Sequence, residues 1–168
     1  MKVVGYTADS TGKIDNGIAP TAASKINIPL GGLSSSKGTT QMAITGNLNG
    51  SAATTDTWTS QIRVYDQQGG AHDLSIVFKN RTSPPTAAGA PATATSSWDW
   101  DCFEGPTTGT AIASSTGTGN TPVFFDGTGA YVSGLATGTF NTVTVPASPG
   151  APAETINVDF SGLTQAKS

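Results

Sequence analysis

Charge is what this chain has least of. Only 11% of its 168 residues are charged, and the formal net charge is -3. Such a surface lacks the positive field that holds nucleic acid or an anionic membrane. Cysteine is nearly absent as well: Cys102 stands alone, which excludes an intramolecular disulfide and any multi-cysteine zinc site. Helical periodicity is missing, because no window of about a dozen residues keeps apolar positions at i, i+3, i+4 and i+7 without a Gly or Pro interruption. No apolar run reaches the length of a membrane span, and the first residues carry no charged region followed by an apolar stretch. Membrane insertion is not expected, and export would use a route other than a secretory signal.

What the chain does have is Thr, Ser, Ala and Gly, with 21 Gly and 10 Pro. At 36% hydrophobic it is on the low side for a globular protein, so two modest β modules fit better than one large core. Val, Ile, Phe, Tyr and Trp recur in short alternating runs between turn residues, the pattern of small sandwiches and barrels. The fold class expected is therefore mainly β.

Residues 3 to 7 read as a strand followed by an Asp/Ser/Gly turn, and a strand starting so near the first residue suggests a chain cut from something longer. Ile26 to Leu30 reads as a short edge strand stopped by Pro29 and the Gly31-Gly32 pair. Thr39 to Leu48 is a strand with Met42, Ile44 and Leu48 on one face. Asn47 to Asp56 has no apolar anchor and is taken as the boundary between modules.

The most informative stretch is Ile62 to Phe78. Ile62 and Val64 alternate, Asp66 to Gly70 turns, and Leu74, Ile76 and Phe78 alternate in the return strand. Arg63 and Tyr65 fall on the opposite face. Trp98, Trp100 and Cys102 share one side of the next strand, with Asp99, Asp101 and Phe103 on the other. Arg81 to Ser96 and Thr107 to Thr121 read as long loops. Val123 to Phe125, an Asp126-Gly127-Thr128-Gly129 turn and Ala130 to Val132 form a second hairpin. Phe140 to Val145 alternates again, Pro146 to Pro152 reads as a stiff linker spacing the last strand, and Ile156 to Phe160 closes the set, its strand character ending at Ser161-Gly162.

Candidate chemistry is sparse. Asp99 and Asp101 share a strand face, as a glycosidase-like or cation-binding pair would, but a strand with tryptophans inward needs polar residues outward. Asp126 to Gly129 has the start of a calcium loop without the later oxygen ligands, since Tyr131 and Val132 follow. His72 sits beside a turn with no Gly-x-Ser-x-Gly anywhere, and Cys102, next to Asp101, has its thiolate disfavoured by the neighbouring negative charge. No catalytic residue, cofactor site or metal site is assigned, and the chain is not read as an enzyme. The tryptophans leave one alternative open, a carbohydrate-binding or adhesin-like extracellular module with an aromatic platform.

Order and spacing carry a further signal. Gly5-Tyr6-x-x-Asp9-x-x-Gly12, Ile26-Asn27-Ile28-Pro29-Leu30, and Thr39-Thr40 through Gly46-Asn47-Leu48-Asn49 come first. They are followed by Tyr65-Asp66-x-x-Gly69, Trp98, Phe125-Asp126-x-x-Gly129 and Asp159-Phe160-Ser161-Gly162-Leu163-Thr164-Gln165. Together they resemble the rod and hook axial family of the bacterial flagellum, and its hook branch most, because rod members lack an inserted second module. The resemblance implies a split first β domain, 1–48 with 155–168, around an inserted outer β domain, 49–154. It implies two small barrel-like or sandwich-like modules, the second inserted into the first, without the family's terminal helices. It also implies a structural role in a flexible universal-joint tube, reached by unfolded export through the flagellar secretion channel. The partners implied are other copies of the subunit, rod and hook-filament junction proteins and the hook cap, with the isolated chain monomeric.

Overall fold

The computed structural model describes Tyr6, residues 11–14 and residues 37–166. The chain divides into two compact units, Met1–Ser34 and Ser35–Ser168. In the first, Thr11 and Gly12 turn with Gly12 at φ 81°, where the sequence places an Asp/Ser/Gly turn, and Tyr6 is exposed. Gly5 and the strand expected at Ile26 to Leu30 lie outside the described residues.

The described part of the second unit is all β. Its strands are β1 (Gln41–Asn49), β2 (Trp58–Tyr65), β3 (Ala71–Thr82), β4 (Ser96–Glu104), β5 (Ala113–Ser114), β6 (Val123–Phe125), β7 (Tyr131–Val132), β8 (Asn141–Val145) and β9 (Glu154–Ala166). They form two sheets, one ordered β1-β9-β8 and the other β2-β3-β4-β6-β7, with β5 on the same edge of β4 as β6. The expectation of a mainly β fold holds.

Alternation sets the register. Ile62 faces Leu74 across the β2–β3 hairpin, and Ile76 and Phe78 face Cys102 and Trp100 across β3–β4. Leu74, Ile76, Phe78, Trp98, Trp100 and Cys102 therefore project to one side and are fully buried. Met42, Ile44 and Leu48 of β1, Val143 and Val145 of β8, and Ile156, Val158 and Phe160 of β9 enter the same cluster from the other sheet. Phe160 is the hinge of this core: its ring lies 5.7 Å edge-on from Phe78 and 5.4 Å from Trp100. Each such aromatic pair contributes about 1 kcal/mol beyond its area burial.

Three local expectations change. The 146–152 segment does not space β9 from what precedes it. It is the loop of a hairpin in which β8 and β9 pair antiparallel from Asn141–Val158 to Val145–Glu154, with Ser148 bridged to Ala151. A Pro-rich stretch reads as a spacer only while the pairing of its flanks is unknown. Nor does the last strand stop at Ser161-Gly162, since β9 runs on to Ala166 through a bulge. The Thr107 to Thr121 loop also contains the short β5, which pairs with Asp101 and Cys102.

Candidate functional site

The quoted motifs fall on four joints that hold the sheets in place. Two are turns of one design. Asp66 Oδ1 accepts from Gln68 N (2.9 Å) and Gly70 N (2.7 Å), Gly69 N donates to Asp66 O (3.0 Å) and Asp66 N to Gly70 O (2.9 Å). Asp126 Oδ1 accepts from Thr128 N (2.8 Å), Thr128 Oγ1 (2.6 Å) and Ala130 N (3.0 Å), while Gly129 N donates to Asp126 O (3.0 Å) and Asp126 N to Ala130 O (3.0 Å). Gly69 and Gly129 both sit at φ 83°, a conformation costly for any residue with a Cβ. The Asp-x-x-Gly spacing thus has a local cause: the carboxylate gathers the turn's amides, and the glycine supplies the reversed twist. The same bonds hold the Asp126 carboxyl below its ordinary range, the Thr128 hydroxyl first among them.

The third joint is the bulge in β9. β1 and β9 run parallel, with Ala43 opposite Asp159 and Thr45 opposite Gly162, so β9 carries one residue more than β1 across that interval. Asp159 Oδ1 takes the Ser161 amide (2.8 Å), which the bulge withdraws from regular pairing. Gly162 leaves the room the kink needs, because a Cβ there would stand 2.6 Å from Thr45 Cγ2. The bulge lets Phe160 point inward while Leu163 also returns to the core. Beyond it, Asn47 faces Thr164, whose hydroxyl donates to Asn47 Oδ1 (3.1 Å).

The fourth joint is a pair of seams where the sheets meet without a ladder. At one, Thr39 N donates to Tyr65 O (2.8 Å) and Tyr65 N to Thr39 Oγ1 (2.9 Å). Seven residues along, the Trp58 indole covers Gly46, where a Cβ would lie 3.3 Å from the ring. Thr40 turns the other way, its carbonyl accepting from Asn157 N at 3.0 Å. At the other seam Asn120 imitates a strand: Nδ2 donates to Thr142 O (3.1 Å) and Ser114 O (3.2 Å), and Oδ1 accepts from Thr142 N (2.7 Å). Nothing local in the sequence marks Asn120, one polar residue in a Thr/Gly/Ser stretch.

Trp98 is fully buried, and its Nε1 donates to the Gln165 amide oxygen at 3.0 Å when that amide is oriented with its nitrogen toward Ser96 Oγ. Trp100 Nε1 donates to Thr121 O at 3.0 Å. With both indoles inside, they offer no platform to a sugar. Asp99 and Asp101 face outward and are held separately, Asp99 by Asn80 (3.3 Å) and Ser115 (3.4 Å), Asp101 by Lys79. Arg63 forms a two-pronged pair with the directly opposite Asp73, at 2.7 and 3.0 Å. Cys102 is buried and its thiol is pushed up to about 12 by desolvation, so it is no nucleophile. Among the described residues, no group of three or more His, Cys, Asp and Glu side chains is placed to hold a metal. These arrangements fasten strands; none presents a nucleophile with a base beside it.

A family model described as flagellar basal body protein FlaE D2 domain matches residues 33–168, and the chain belongs to that family. No individual curated protein shows significant similarity to it. The family is that of a flagellar hook structural domain, non-enzymatic, and its place is the hook and basal body of the extracellular flagellum. The resemblance to the hook branch of the flagellar axial family is thereby established.

Proposed function

We propose that this chain is an outer β part of a hook subunit, stacked in many copies into the curved tube that passes motor torque to the filament and bends as it turns. Family membership supports the setting, and the placement of cations supports the mechanics. Of the four Lys and Arg residues in the described part of the second unit, three are engaged within the chain: Arg63 by Asp73, Lys79 by Asp101 and Arg81 by Gln165. Neighbouring copies then meet through weakly charged surface rich in Thr and Gly. Rows of such subunits slide past each other without breaking a fixed ion pair at every step. Rod, hook-filament junction and cap proteins are the further partners proposed, on the family resemblance alone.

The split organisation is proposed in the same spirit. Pairing of β1 with β9 supports the idea that chain near 41–48 and chain near 155–166 belong together across everything between them. Both strands also share a core with the strands between them, so the proposed split domain would bear directly on the inserted one rather than through a free linker.

The experiment is the bending stiffness of isolated hooks across about a tenfold range of salt, over which the Debye length changes about threefold. Stiffness that barely changes is the expected result. Stiffness that falls steeply as salt rises would mean that ion pairs fix the subunit contacts, and would overturn this account of the bending.

A further inference from the structure

The histidine lies between two carboxylates, and the structure gives it more than a turn-side position. The His72 side chain is only 10% exposed, with Nδ1 2.6 Å from Glu104 Oε1 and Nε2 3.4 Å from Asp66 Oδ2. Both neighbours are acceptors when ionised, so the arrangement is complete only when both ring nitrogens carry protons. Three segments converge on this ring. Asp66 belongs to the 66–70 turn, whose amides its other oxygen holds; Glu104 ends β4; and Ser148 Oγ, in the β8–β9 loop, donates to Asp66 Oδ2 at 3.4 Å.

The other ionisable groups on that side are Glu154 of β9 and Tyr65 of β2, which line the small hollow beside His72 together with Val145, Pro146 and Pro152. No Lys or Arg lines it. On β3 itself, Asp73 turns to the opposite face and pairs with Arg63. Among the described residues that line this hollow, the imidazolium is therefore the one positive charge that faces Asp66.

We propose that His72 is a proton-operated clamp: in its imidazolium form it fastens the 66–70 turn and, through Asp66, the 146–152 loop to the end of β4, and loss of one proton releases this end while the core stays closed. Deprotonation sets a ring lone pair against a carboxylate oxygen in a site largely shut off from water, which removes an attraction and adds a repulsion. The hydrogen bond to Glu104 raises the proton affinity of His72 above its ordinary value, Asp66 adds to it and burial opposes it. While both carboxylates stay ionised, the clamp is thus fully engaged below about pH 6.5, the unfolded value, and disengages as pH rises through the higher folded value. A hook stands outside the cell, so the pH of the medium reaches this site directly. Tyr65, which precedes the turn and is 48% exposed, is the surface that the release would alter.

His72 is the chain's only histidine, so its ring resonances need no assignment. The test follows them by NMR against pH together with hydrogen-exchange protection factors at the Gln68 and Gly70 amides. The ring should titrate above about 6.5, and protection at both amides should drop across the same transition, about tenfold for each unit by which His72 exceeds the free value. Ile76 and Phe78 in the middle of β3 should keep theirs. Glu104→Gln should lower the His72 transition. His72→Gln should leave the turn weakly protected at every pH; if that variant does not fold, the titrations of the parent chain and of Glu104→Gln decide alone. A ring that titrates at or below 6.5, turn protection indifferent to the transition, or a pH step that survives in His72→Gln would each overturn the proposal.

Discussion

Gly129 lies directly against the backbone of Gln165: its carbonyl accepts from Gln165 N at 2.8 Å, and a Cβ added to it would stand 1.7 Å from the Gln165 carbonyl oxygen. The β6–β7 turn is in this way stitched to β9, with Ala130 bridged to Thr164 beside it. Gly129 is constrained twice, by its φ of 83° and by a neighbour that is backbone and cannot swing aside. Gly138 makes the control, since it has φ 84° with nothing within 4 Å of a built Cβ. Gly138→Ala should cost about 1–2 kcal/mol, the penalty of the left-handed conformation alone. Gly129→Ala should cost about 3 kcal/mol or more, because the strand must also move. Chemical denaturation of the two variants measures the difference, and equal costs would mean that the stitch to Gln165 contributes nothing.

The pH profile of stability should have two limbs. Asp66, Asp73 and Asp126 are held below the ordinary carboxylate value in the folded chain. For Asp73 the Arg63 hydrogen bond comes first; for Asp66, burial acts upward and is outweighed by the Gly70 amide, His72 and the Gln68 amide. Their contribution is present above about pH 3.9 and lost as pH falls through the lowered folded values. His72 has the opposite sign, its contribution being present below about pH 6.5 and fading as pH rises. Thermal unfolding midpoints should therefore be highest between these limits. A midpoint still climbing from pH 7 to 9 contradicts the sign assigned to His72.

Cys102 reports on the closure of the core. Fully buried opposite Ile76, with its thiol pushed up to about 12, it should resist a thiol reagent such as Ellman's at neutral pH and react only as fast as the chain opens. Cys102→Ser places a hydroxyl in the same apolar site and should destabilise by about 1–3 kcal/mol. Rapid labelling of the native chain would show that β4 opens locally.

How much of this was legible in the sequence depends on the range of the interaction. The faces of β1, β3 and β4 follow from alternation, because a strand's period of two needs no partner to be read. The Asp66 and Asp126 turns were legible for a similar reason, each being closed by its own five residues. What escaped was set by distant chain. Ser161-Gly162 reads locally as a stop, and becomes a bulge only because β1 lies alongside and demands continued pairing. Pro146 to Pro152 reads as a spacer until Val145 is seen opposite Glu154. Glu104 and Asp66 meet His72 across 32 and 6 residues of sequence separation, and no motif announces that meeting.

Asn120 is the strongest instance of a role with no local signature, and it can be tested. Its amide spends three hydrogen bonds joining β5 to the free edge of β8, where Thr142 would otherwise present an unpaired N–H and C=O. Asn120→Ala should leave those groups to water or unsatisfied, at a cost of about 1–3 kcal/mol. Asn120→Asp keeps the acceptor for Thr142 N but sets a carboxylate oxygen against the carbonyls of Ser114 and Thr142. It should therefore be at least as damaging as the alanine at neutral pH and should recover in acid as the carboxyl regains a proton. Hydrogen exchange at Thr142 reads the seam itself: the amide should lose protection in Asn120→Ala while Val158, inside the sheet on β9, keeps it. If Thr142 stays protected without Asn120, the β5–β8 seam is closed by packing alone and the strand-like role assigned to this side chain is wrong.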